Sequence, residues 1–113
     1  MTFDPLDVVV VPFPFSDRRA TKRRPALVVS STAFNRAHAH AILTMITSTT
    51  RDRWQSDVPI DDWRKAGLTT ACRVRFKVFT LDNFRVLRRL GRLSARDGEA
   101  VVRSLARHLT MGL

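Results

Sequence analysis

Short apolar runs, each closed by proline, glycine or polar residues, restrict the folds open to this chain. Residues 7–11 form a run dominated by β-branched side chains, typical of a strand buried on both faces, and Pro12 and Pro14 end it because neither can donate to a ladder. Residues 72–79 alternate between apolar and cationic side chains, which predicts a half-buried strand with one wet, basic face. Strands this short favour a small, strongly bent antiparallel barrel, because closure removes aggregation-prone edges.

The other predicted elements are also short, apart from one helix. Strands are predicted over residues 25–30, 41–46, 57–60 and 85–93, and helical turns over residues 31–36 and 63–66. A longer helix is predicted over residues 95–109, where Ser94 caps the first turn and Asp97 returns the bond. Its apolar stripe comprises Ala95, Val101, Val102, Leu105, Ala106 and Leu109. The fold class is therefore mainly β with a C-terminal α-helix, in one domain over residues 1–113.

The charge of the chain indicates the kind of partner. Its 113 residues include 20 Lys and Arg against 10 Asp and Glu, so the formal charge of +10 points to a polyanion. The cations are spread along strands and loops rather than concentrated on one amphipathic helix, which favours nucleic acid over a membrane. No apolar run approaches the roughly 20 residues that cross a bilayer, and the acidic start does not resemble a signal peptide, so we expect a cytoplasmic protein.

Few residues in the sequence support chemistry that depends on a metal or a thiol. The single Cys72 excludes an internal disulfide and a cysteine-based zinc site, and we expect it to be a small buried hydrophobe. His38 and His40 are spaced as a metal pair would be on a strand, but no third ligand is evident, so a histidine-based nuclease site is rejected. The aspartates lack the clustering of a two-metal nuclease. We therefore expect no metal and no cofactor.

The segment that says most about function is 22–30, where a cluster of cations passes directly into a hydrophobic strand. A rigid strand can hold a guanidinium in a fixed place, and the planar fork of Arg matches the oxygens of a phosphate. Residues 13–23 combine proline, phenylalanine and cations, a composition that suits a mobile, positively charged flap. Residues 47–53 are polar enough to form a second exposed loop beside it.

Read in order, residues 8–17, 22–30 and 41–48 resemble the toxins of the MazF/PemK class, the mRNA interferases of bacterial toxin–antitoxin systems. The resemblance covers nearly the whole chain, because further pieces at Gly67-Leu68, Val74-Arg75, Phe79-Thr80-Leu81-Asp82 and Leu90-Gly91-Arg92-Leu93-Ser94 fall in the family's order and spacing. One departure is Leu6 before Asp7, where the family usually has Gly, which puts the tight backbone turn there in doubt. The resemblance implies an SH3-like barrel that acts as a homodimer, with its RNA groove across the subunit interface.

The same resemblance implies a sequence-specific, metal-independent endoribonuclease that cleaves single-stranded mRNA by attack of the substrate's own 2′-hydroxyl. In the family's pattern the catalytic Arg stands directly before Pro and is here Arg24, and the catalytic hydroxyl is here Thr47, with Ser48 as a substitute candidate. Arg24 would stabilise the phosphorane and Thr47 would donate to a non-bridging phosphate oxygen. From the residues alone, a surface ion pair for Arg24 and a backbone hydrogen bond for Thr47 are the simpler interpretation.

Loop cations and aromatic side chains are candidates for RNA contact, since cations follow a phosphate backbone and aromatic rings stack on splayed bases. The predicted RNA-binding residues are Phe15, Arg18, Arg19, Lys22, Arg23, Ser48, Arg51, Arg53, Trp54 and Arg75. Burial in the core is the favoured alternative for Phe13 and Phe15, whereas stacking and burial are equally supported for Trp54. Trp63 is assigned to the core.

The partners implied by the family are single-stranded mRNA, a second copy of the chain, and a cognate antitoxin whose acidic C-terminal tail folds across the groove. Two alternatives stay open: a gyrase-inhibiting toxin of the same barrel, acting through residues 103–113, and an RNA-binding barrel that does not cleave. The combination of Arg24-Pro25 with Ile46-Thr47 favours the nuclease, because an inhibitor that acts through its helix has no use for it.

Overall fold

A computed structural model describes residues 2–13 and 22–112 of the chain. The predicted flap at residues 14–21, with Phe15, Arg18 and Arg19, lies outside the described residues. The elements in chain order are β1 (Asp7–Phe13), β2 (Lys22–Val28), α1 (Thr32–His38), β3 (His40–Ser48), β4 (Val58–Pro59), β5 (Cys72–Asp82), a 3₁₀ turn (Asn83–Arg85), β6 (Arg88–Arg92) and α2 (Ala95–His108). The described strands form one sheet in the order β4-β5-β3-β2-β1-β6, with every neighbouring pair antiparallel, curled into a half-barrel.

Strand β1 is buried on both faces, as its β-branched run predicts. Val8 joins Leu27 and Ile46 in the cluster beneath α2, whereas Val9 and Val11 pack on the opposite face in a second cluster. Because successive side chains of a strand point to opposite faces, one run of four valines contributes to both clusters. Trp63 packs against the first cluster and Cys72 is buried in it, which confirms both assignments to the core.

Two strands extend further than predicted, and both extensions carry candidate site residues. Strand β2 begins at Lys22 rather than at residue 25, so Arg23 and Arg24 are paired with β1 opposite Pro12 and Val11. Strand β3 runs on to Ser48, so Thr47 and Ser48 are strand residues rather than part of a loop. The prediction placed the boundary at proline and at the first polar residue, but pairing with neighbouring strands continues through both.

Helix α2 is held to the barrel by its first turn. The Ser94 hydroxyl accepts a hydrogen bond from the Asp97 backbone N–H at 3.2 Å, as a cap should. The Asp97 carboxylate does not return that bond; it accepts instead from the backbone N–H groups of Asp61 and Asp62, at 3.2 and 2.9 Å. The predicted capping box is therefore half right, and its acidic member ties the helix to the turn after β4.

The apolar stripe of α2 is narrower than predicted. Val101 is buried and Leu105 packs against the core, whereas Val102 and Leu109 are exposed.

Among the described residues, no helix is both long and apolar enough to cross a membrane.

The tight turn before β1 forms although leucine replaces glycine. Leu6 has a φ of 74°, in the left-handed region that disfavours branched side chains. Hydrogen bonds hold it there: its N–H donates to the Val28 carbonyl at 2.8 Å, and its own carbonyl accepts from the Leu93 N–H at 3.0 Å. The side chain lies against Gly98 of α2, where an added Cβ would stand 2.5 Å from Leu6 Cδ1. Leu6 thus has an unfavourable backbone conformation and also packs against helix α2.

This contact predicts energetic coupling between Leu6 and Gly98. Gly98→Ala removes a helical glycine, a gain of roughly 1 kcal/mol in a free helix, but the new methyl displaces Leu6. We expect Gly98→Ala to be more favourable in a Leu6→Gly background than in the natural one, by about 0.5–3 kcal/mol in the free energy of unfolding. Urea unfolding of the four proteins measures the coupling. Ala106→Gly, at an exposed position of α2, is the control and should change stability equally in both backgrounds; additive effects at Leu6 and Gly98 would contradict the contact.

Candidate functional site

A cleft of about 790 Å³ opens where β2 begins and β3 ends. The ladder between these strands starts at Ala26 opposite Met45, and the residue before Ala26 is Pro25, which has no N–H to donate. Because the pairing stops at this proline, the first residues of β2 and the last of β3 diverge and leave space between them. The described lining residues are Val10, Arg23, Arg24, Pro25, Ile46, Thr47, Ser48, Thr50, Arg51, Gly67, Leu68, Thr69, Thr70, Cys72, Arg88 and Leu90.

The charged side chains that line this cleft, among the described residues, are all basic. The lining contains four arginines and five hydroxyl side chains, and no Asp or Glu belongs to the described part of the wall. Cys72 also lines the cleft, but burial raises the pKa of its thiol, which is held against the Thr70 carbonyl at 3.3 Å. Arginine forks and hydroxyl donors without competing carboxylates suit a phosphate-bearing ligand.

Arg24 enters the cleft from β2 as a half-buried side chain. Its guanidinium carbon lies 5.9 Å from the centre of the Phe13 ring. Its Nε is buried and has no hydrogen-bond partner among the described residues, nor does any described carboxylate pair with it. Buried donors are nearly always satisfied, so a guanidinium N–H without a described partner, on a residue that lines a cleft, is a candidate donor to a bound ligand.

Thr47 approaches the same space from β3. Arg24 stands two residues before Ala26 and Thr47 two residues after Met45, the last pair of the ladder, and residues two apart on a strand lie on the same face. Both residues line the 790 Å³ cleft and also a smaller adjoining cavity of about 90 Å³. No described residue forms a hydrogen bond with the Thr47 hydroxyl. Arg24 and Thr47 thus stand together between two cavities.

Ser48, the substitute candidate, is engaged elsewhere. Its hydroxyl accepts from the Thr50 N–H at 3.1 Å and pairs with the Thr50 hydroxyl at 2.8 Å, while its carbonyl accepts from the Arg51 N–H at 3.2 Å. These bonds build the turn after β3 and bring the exposed Arg51 to the rim of both cavities. The hydroxyl of Thr47 is therefore the freer of the two.

Arg75 is placed in a different role from the predicted RNA contact. Its Nε and Nη2 donate to the two carboxylate oxygens of Asp57 at 3.1 and 2.8 Å, and the side chain is only 6% exposed. The three cations of this strand stay on one face, but the loop after β3 covers it: Asp57 also approaches Arg73 at 3.3 Å, and the Trp54 ring lies against Arg75 and Lys77. Of the three cations on that face, Arg75 is buried, Arg73 is half-buried and Lys77 is exposed.

The Asp57 carboxylate organises the loop after β3. Burial raises the pKa of Asp57, but hydrogen bonds from Arg75 and from the Trp54 backbone, with the charges of Arg75 and Arg73, outweigh burial and lower it. Arg73 donates to the carbonyls of Thr49, Arg51 and Asp52 at 3.4, 2.9 and 3.3 Å. Neither Asp57 nor Arg73 was among the predicted site residues. No local sequence pattern indicates that their side chains form hydrogen bonds with the loop after β3. Two arginines of β5 thus hold the loop that carries Arg51.

The other candidates lie around the same end of the barrel. Trp54 is 38% exposed, with the guanidinium carbon of Arg75 4.7 Å and the Lys77 ammonium 5.4 Å from its ring centre. Lys22 and Arg23 are exposed at the start of β2, and Arg53 is exposed on the loop. Arg23 alone of these lines the 790 Å³ cleft.

The far wall of the cleft was missed. Thr69, Thr70 and Arg88 line it, although no sequence pattern marked them as site residues. The only signal was indirect, because the nearby Gly67-Leu68 and Leu90-Gly91 belonged to the pieces that carried the family resemblance. Among the described residues, no group of three His, Cys, Asp or Glu side chains is arranged to hold a metal ion.

Fold and cleft together define a class of protein. The curled antiparallel sheet, the C-terminal helix and the arginine-rich cleft describe a small β-barrel suited to bind a polyanion. The model of a family described as "PemK-like, MazF-like toxin of type II toxin-antitoxin system" matches residues 4–109. The chain therefore belongs to the PemK/MazF toxin family, which confirms the resemblance seen in its sequence.

Solved structures share this fold. The MazE–MazF complex of Deinococcus radiodurans in its second crystal form has a TM-score of 0.77 at 22% identity, over 99% of each chain. An endoribonuclease in complex with its cognate antitoxin, from a mycobacterial species, has a TM-score of 0.73 at 18% identity, over 96% of this chain and 93% of that one. The toxin MazF-mt6 of Mycobacterium tuberculosis has 0.68 at 21%, over 89% and 93%. These likenesses confirm the predicted fold class, whereas no curated protein matches the chain significantly.

Proposed function

We propose that this toxin-family protein is a sequence-specific, metal-independent endoribonuclease that cleaves single-stranded mRNA. The observation that carries the proposal is the pair formed by Arg24 and Thr47. One has a buried guanidinium N–H and the other a hydroxyl, both without a described partner, and both residues line one cleft that has no described carboxylate. The description of a structurally similar protein as an endoribonuclease gives independent support.

The reaction needs few groups. The 2′-oxygen of the nucleotide before the scissile bond attacks phosphorus and loses its proton, the bond to the 5′-oxygen breaks, and that oxygen takes up a proton. The products are a 2′,3′-cyclic phosphate and a 5′-hydroxyl. Negative charge on the phosphorane is greatest midway, where Arg24 would bind it through its fork and Thr47 would donate to a non-bridging oxygen.

Acid–base roles are not assigned to described residues. His, Asp and Glu are missing from the described lining, and an arginine gives up its proton only with great difficulty because its pKa is intrinsically very high. Charge stabilisation and alignment of the 2′-oxygen are therefore the roles that the proposal gives to Arg24 and Thr47.

The same cleft suits the expected protein partners. An antitoxin with an acidic C-terminal tail would meet four arginines there, and opposite charge speeds such an encounter. Solved complexes of structurally similar toxins with their antitoxins support this partner. We also propose a homodimer acting in the cytoplasm, as the family resemblance implies.

A gyrase-inhibiting toxin is the second candidate function, and one observation favours it. Val102, Leu109 and Met111 are exposed apolar side chains along and beyond the end of α2, where a target protein could dock. This function predicts DNA double-strand breaks that require gyrase and persist when Arg24 and Thr47 are replaced. Breaks of that kind, with RNA left intact, would favour this candidate over the nuclease.

The test of the nuclease is cleavage of a long transcript by purified protein in EDTA, with the ends mapped by primer extension. The natural protein should give discrete fragments. Thr47→Val keeps the shape but loses the donor, and we expect a fall of about 10²–10³-fold in cleavage rate. Thr47→Ser should keep most activity. Thr80→Val, at an exposed position of β5, is the matched control, and equal rates for Thr47→Val and Thr80→Val would remove Thr47 from the mechanism.

A further inference from the structure

We propose that the wall of the cleft between residues 67–70 and β6 is a nucleotide subsite, which reads the base next to the scissile phosphate and holds a second phosphate. This inference rests on the proposed function. A phosphate at Arg24 and Thr47 would occupy one end of a cleft of about 790 Å³, a size in the usual range for small-molecule sites. The remaining space lies toward Leu68, Thr70, Arg88 and Leu90, which nothing in the reaction itself uses.

The wall is rigidly built by two glycines. Gly67 has a φ of +86° and lies so close to β6 that a Cβ there would overlap the Leu90 carbonyl. A Cβ on Gly91 would likewise stand 2.6 Å from the Ala66 carbonyl oxygen. Such backbone contact joins residues 66–67 to β6 without intervening side chains, so the apolar surfaces of Leu68 and Leu90 are held in fixed positions. A preformed wall loses little entropy when a base packs on it.

The hydroxyls of this wall are available to a ligand. Thr69 and Thr70 are exposed, and their hydroxyls have no hydrogen bond to any described residue. Their backbone is nevertheless anchored on the C-terminal side, because the Cys72 thiol donates to the Thr70 carbonyl at 3.3 Å and the Thr49 N–H donates to the Ala71 carbonyl at 3.1 Å. Hydroxyls on a fixed backbone can donate to or accept from base edges, the contacts by which unstacked RNA bases are read.

Arg88 differs from its neighbours on β6. Arg89 and Arg92 both lie 3.4 Å from the buried carboxylate of Asp7, so their charges are partly neutralised. Arg88 has no partner among the described residues and lines the cleft. Its pairing partner on β1 is Val10, which is also opposite Pro25 of β2. Two strand spacings of about 4.8 Å each separate Arg88 from Pro25, which suits contact with a different phosphate from the one that Arg24 holds.

The threonines and Arg88 therefore form two parts of the subsite, and their replacement should affect different properties of RNA binding. The threonines should affect which base is accepted, because a site that bonds polar base edges discriminates against bases that cannot pair with it. Arg88 should affect affinity for any sequence, because a phosphate contact carries no base information. A single-strand phosphate contact contributes about 0.7 to the slope of log affinity against log salt concentration.

The experiment compares Thr70→Val and Arg88→Ala with matched controls outside the cleft, Thr80→Val and Arg85→Ala. Cleavage ends on one long transcript are mapped for each variant. Binding of short 2′-O-methyl oligonucleotides, which cannot be cleaved because they lack the nucleophile, is measured by fluorescence anisotropy at several salt concentrations. We expect Thr70→Val to change the preferred base at one position, and Arg88→Ala to weaken binding about tenfold and reduce the salt slope by about 0.7.

The outcomes separate this inference from the proposed function. An unchanged base preference in Thr70→Val together with an unchanged salt slope in Arg88→Ala would overturn the subsite, even if the natural protein cleaves RNA. A natural protein that cleaves nothing would refute the nuclease, while the oligonucleotide titrations would still decide the subsite. A changed oligomeric state of Arg88→Ala in light scattering, with no change in salt slope, would assign this wall to contact between copies and likewise overturn the subsite.

Discussion

Replacement of Arg24 by alanine should lower RNA cleavage by about 10³-fold while leaving the protein as stable as before. Loss of one preorganised donor to a developing oxyanion costs about 10²–10³-fold in rate, and Arg24 can present two donors at once. Its buried Nε has no partner among the described residues, so removal of the side chain loses the contact with the Phe13 ring but breaks no hydrogen bond or ion pair to a described residue. A residue kept unsatisfied in this way favours function over stability, and the variant's melting temperature should equal or exceed that of the natural protein.

Two further variants distinguish a role of Arg24 in the reaction from attraction of RNA by its charge. Arg24→Lys keeps the charge but replaces a planar fork with a single ammonium, and we expect it to recover only a small part of the activity. Arg23→Ala removes an exposed neighbouring cation that lines the same cleft, and should mainly raise KM by a few fold. Single-turnover kinetics with thermal unfolding of each variant provide the measurements. Equal losses for Arg24→Ala and Arg23→Ala would mean that Arg24 only attracts RNA and takes no part in the reaction.

Removal of the Asp57 carboxylate should cause the largest loss of stability. Asp57→Ala leaves the buried guanidinium of Arg75 without its buried carboxylate partner, and breaking a buried ion pair in this way costs about 3–5 kcal/mol in the free energy of unfolding. The loop carrying Arg51 should loosen at the same time, because the Trp54 N–H also donates to Asp57 at 3.0 Å. Urea unfolding followed by tryptophan fluorescence measures both effects.

The chain offers controls for this prediction. Asp52 also approaches Arg75, at 3.7 Å from its Nη1, but its side chain is 81% exposed, so Asp52→Ala should change the unfolding free energy by less than about 1 kcal/mol. If Asp57→Ala is too unstable to purify, the double variant Asp57→Leu, Arg75→Met removes both charges and should recover much of the loss. Comparable stability of Asp57→Ala and the natural protein would mean that the buried pair contributes little.

The free energy of unfolding should depend on pH through the ion pair of Asp57 and Arg75. Because the pKa of Asp57 is lowered in the folded protein, its contribution is fully present above the ordinary carboxyl range near pH 4. That contribution is lost progressively as the pH falls from there through the lowered pKa of the folded state. The difference in unfolding free energy between the natural protein and Asp57→Ala should therefore shrink below about pH 4.

The candidate site was predictable where the family pattern names a residue and unpredictable where it depends on neighbours in space. Arg24 and Thr47 were identified by their places beside Pro25 and after the third strand, and both line the cleft. Arg75 was assigned to RNA from the alternation of its strand, but the loop after β3 covers that face and supplies Asp57 as its partner. Arg88 lies 64 positions after Arg24 in the chain, and no local pattern links the two.

Local patterns alone established the buried strand β1, the helix α2 with its Ser94 cap, the burial of Cys72 and Trp63, and the cationic character of segment 22–24 that borders the cleft. Each of these follows from side-chain type and spacing within one segment, where steric preference and hydrophobic periodicity act. Three-dimensional packing settled the left-handed Leu6 against Gly98, the ion pair of Arg75, and the wall formed by Thr70 and Arg88. These depend on register, on a loop that covers a distant strand and on close backbone approach, which short-range preferences do not encode.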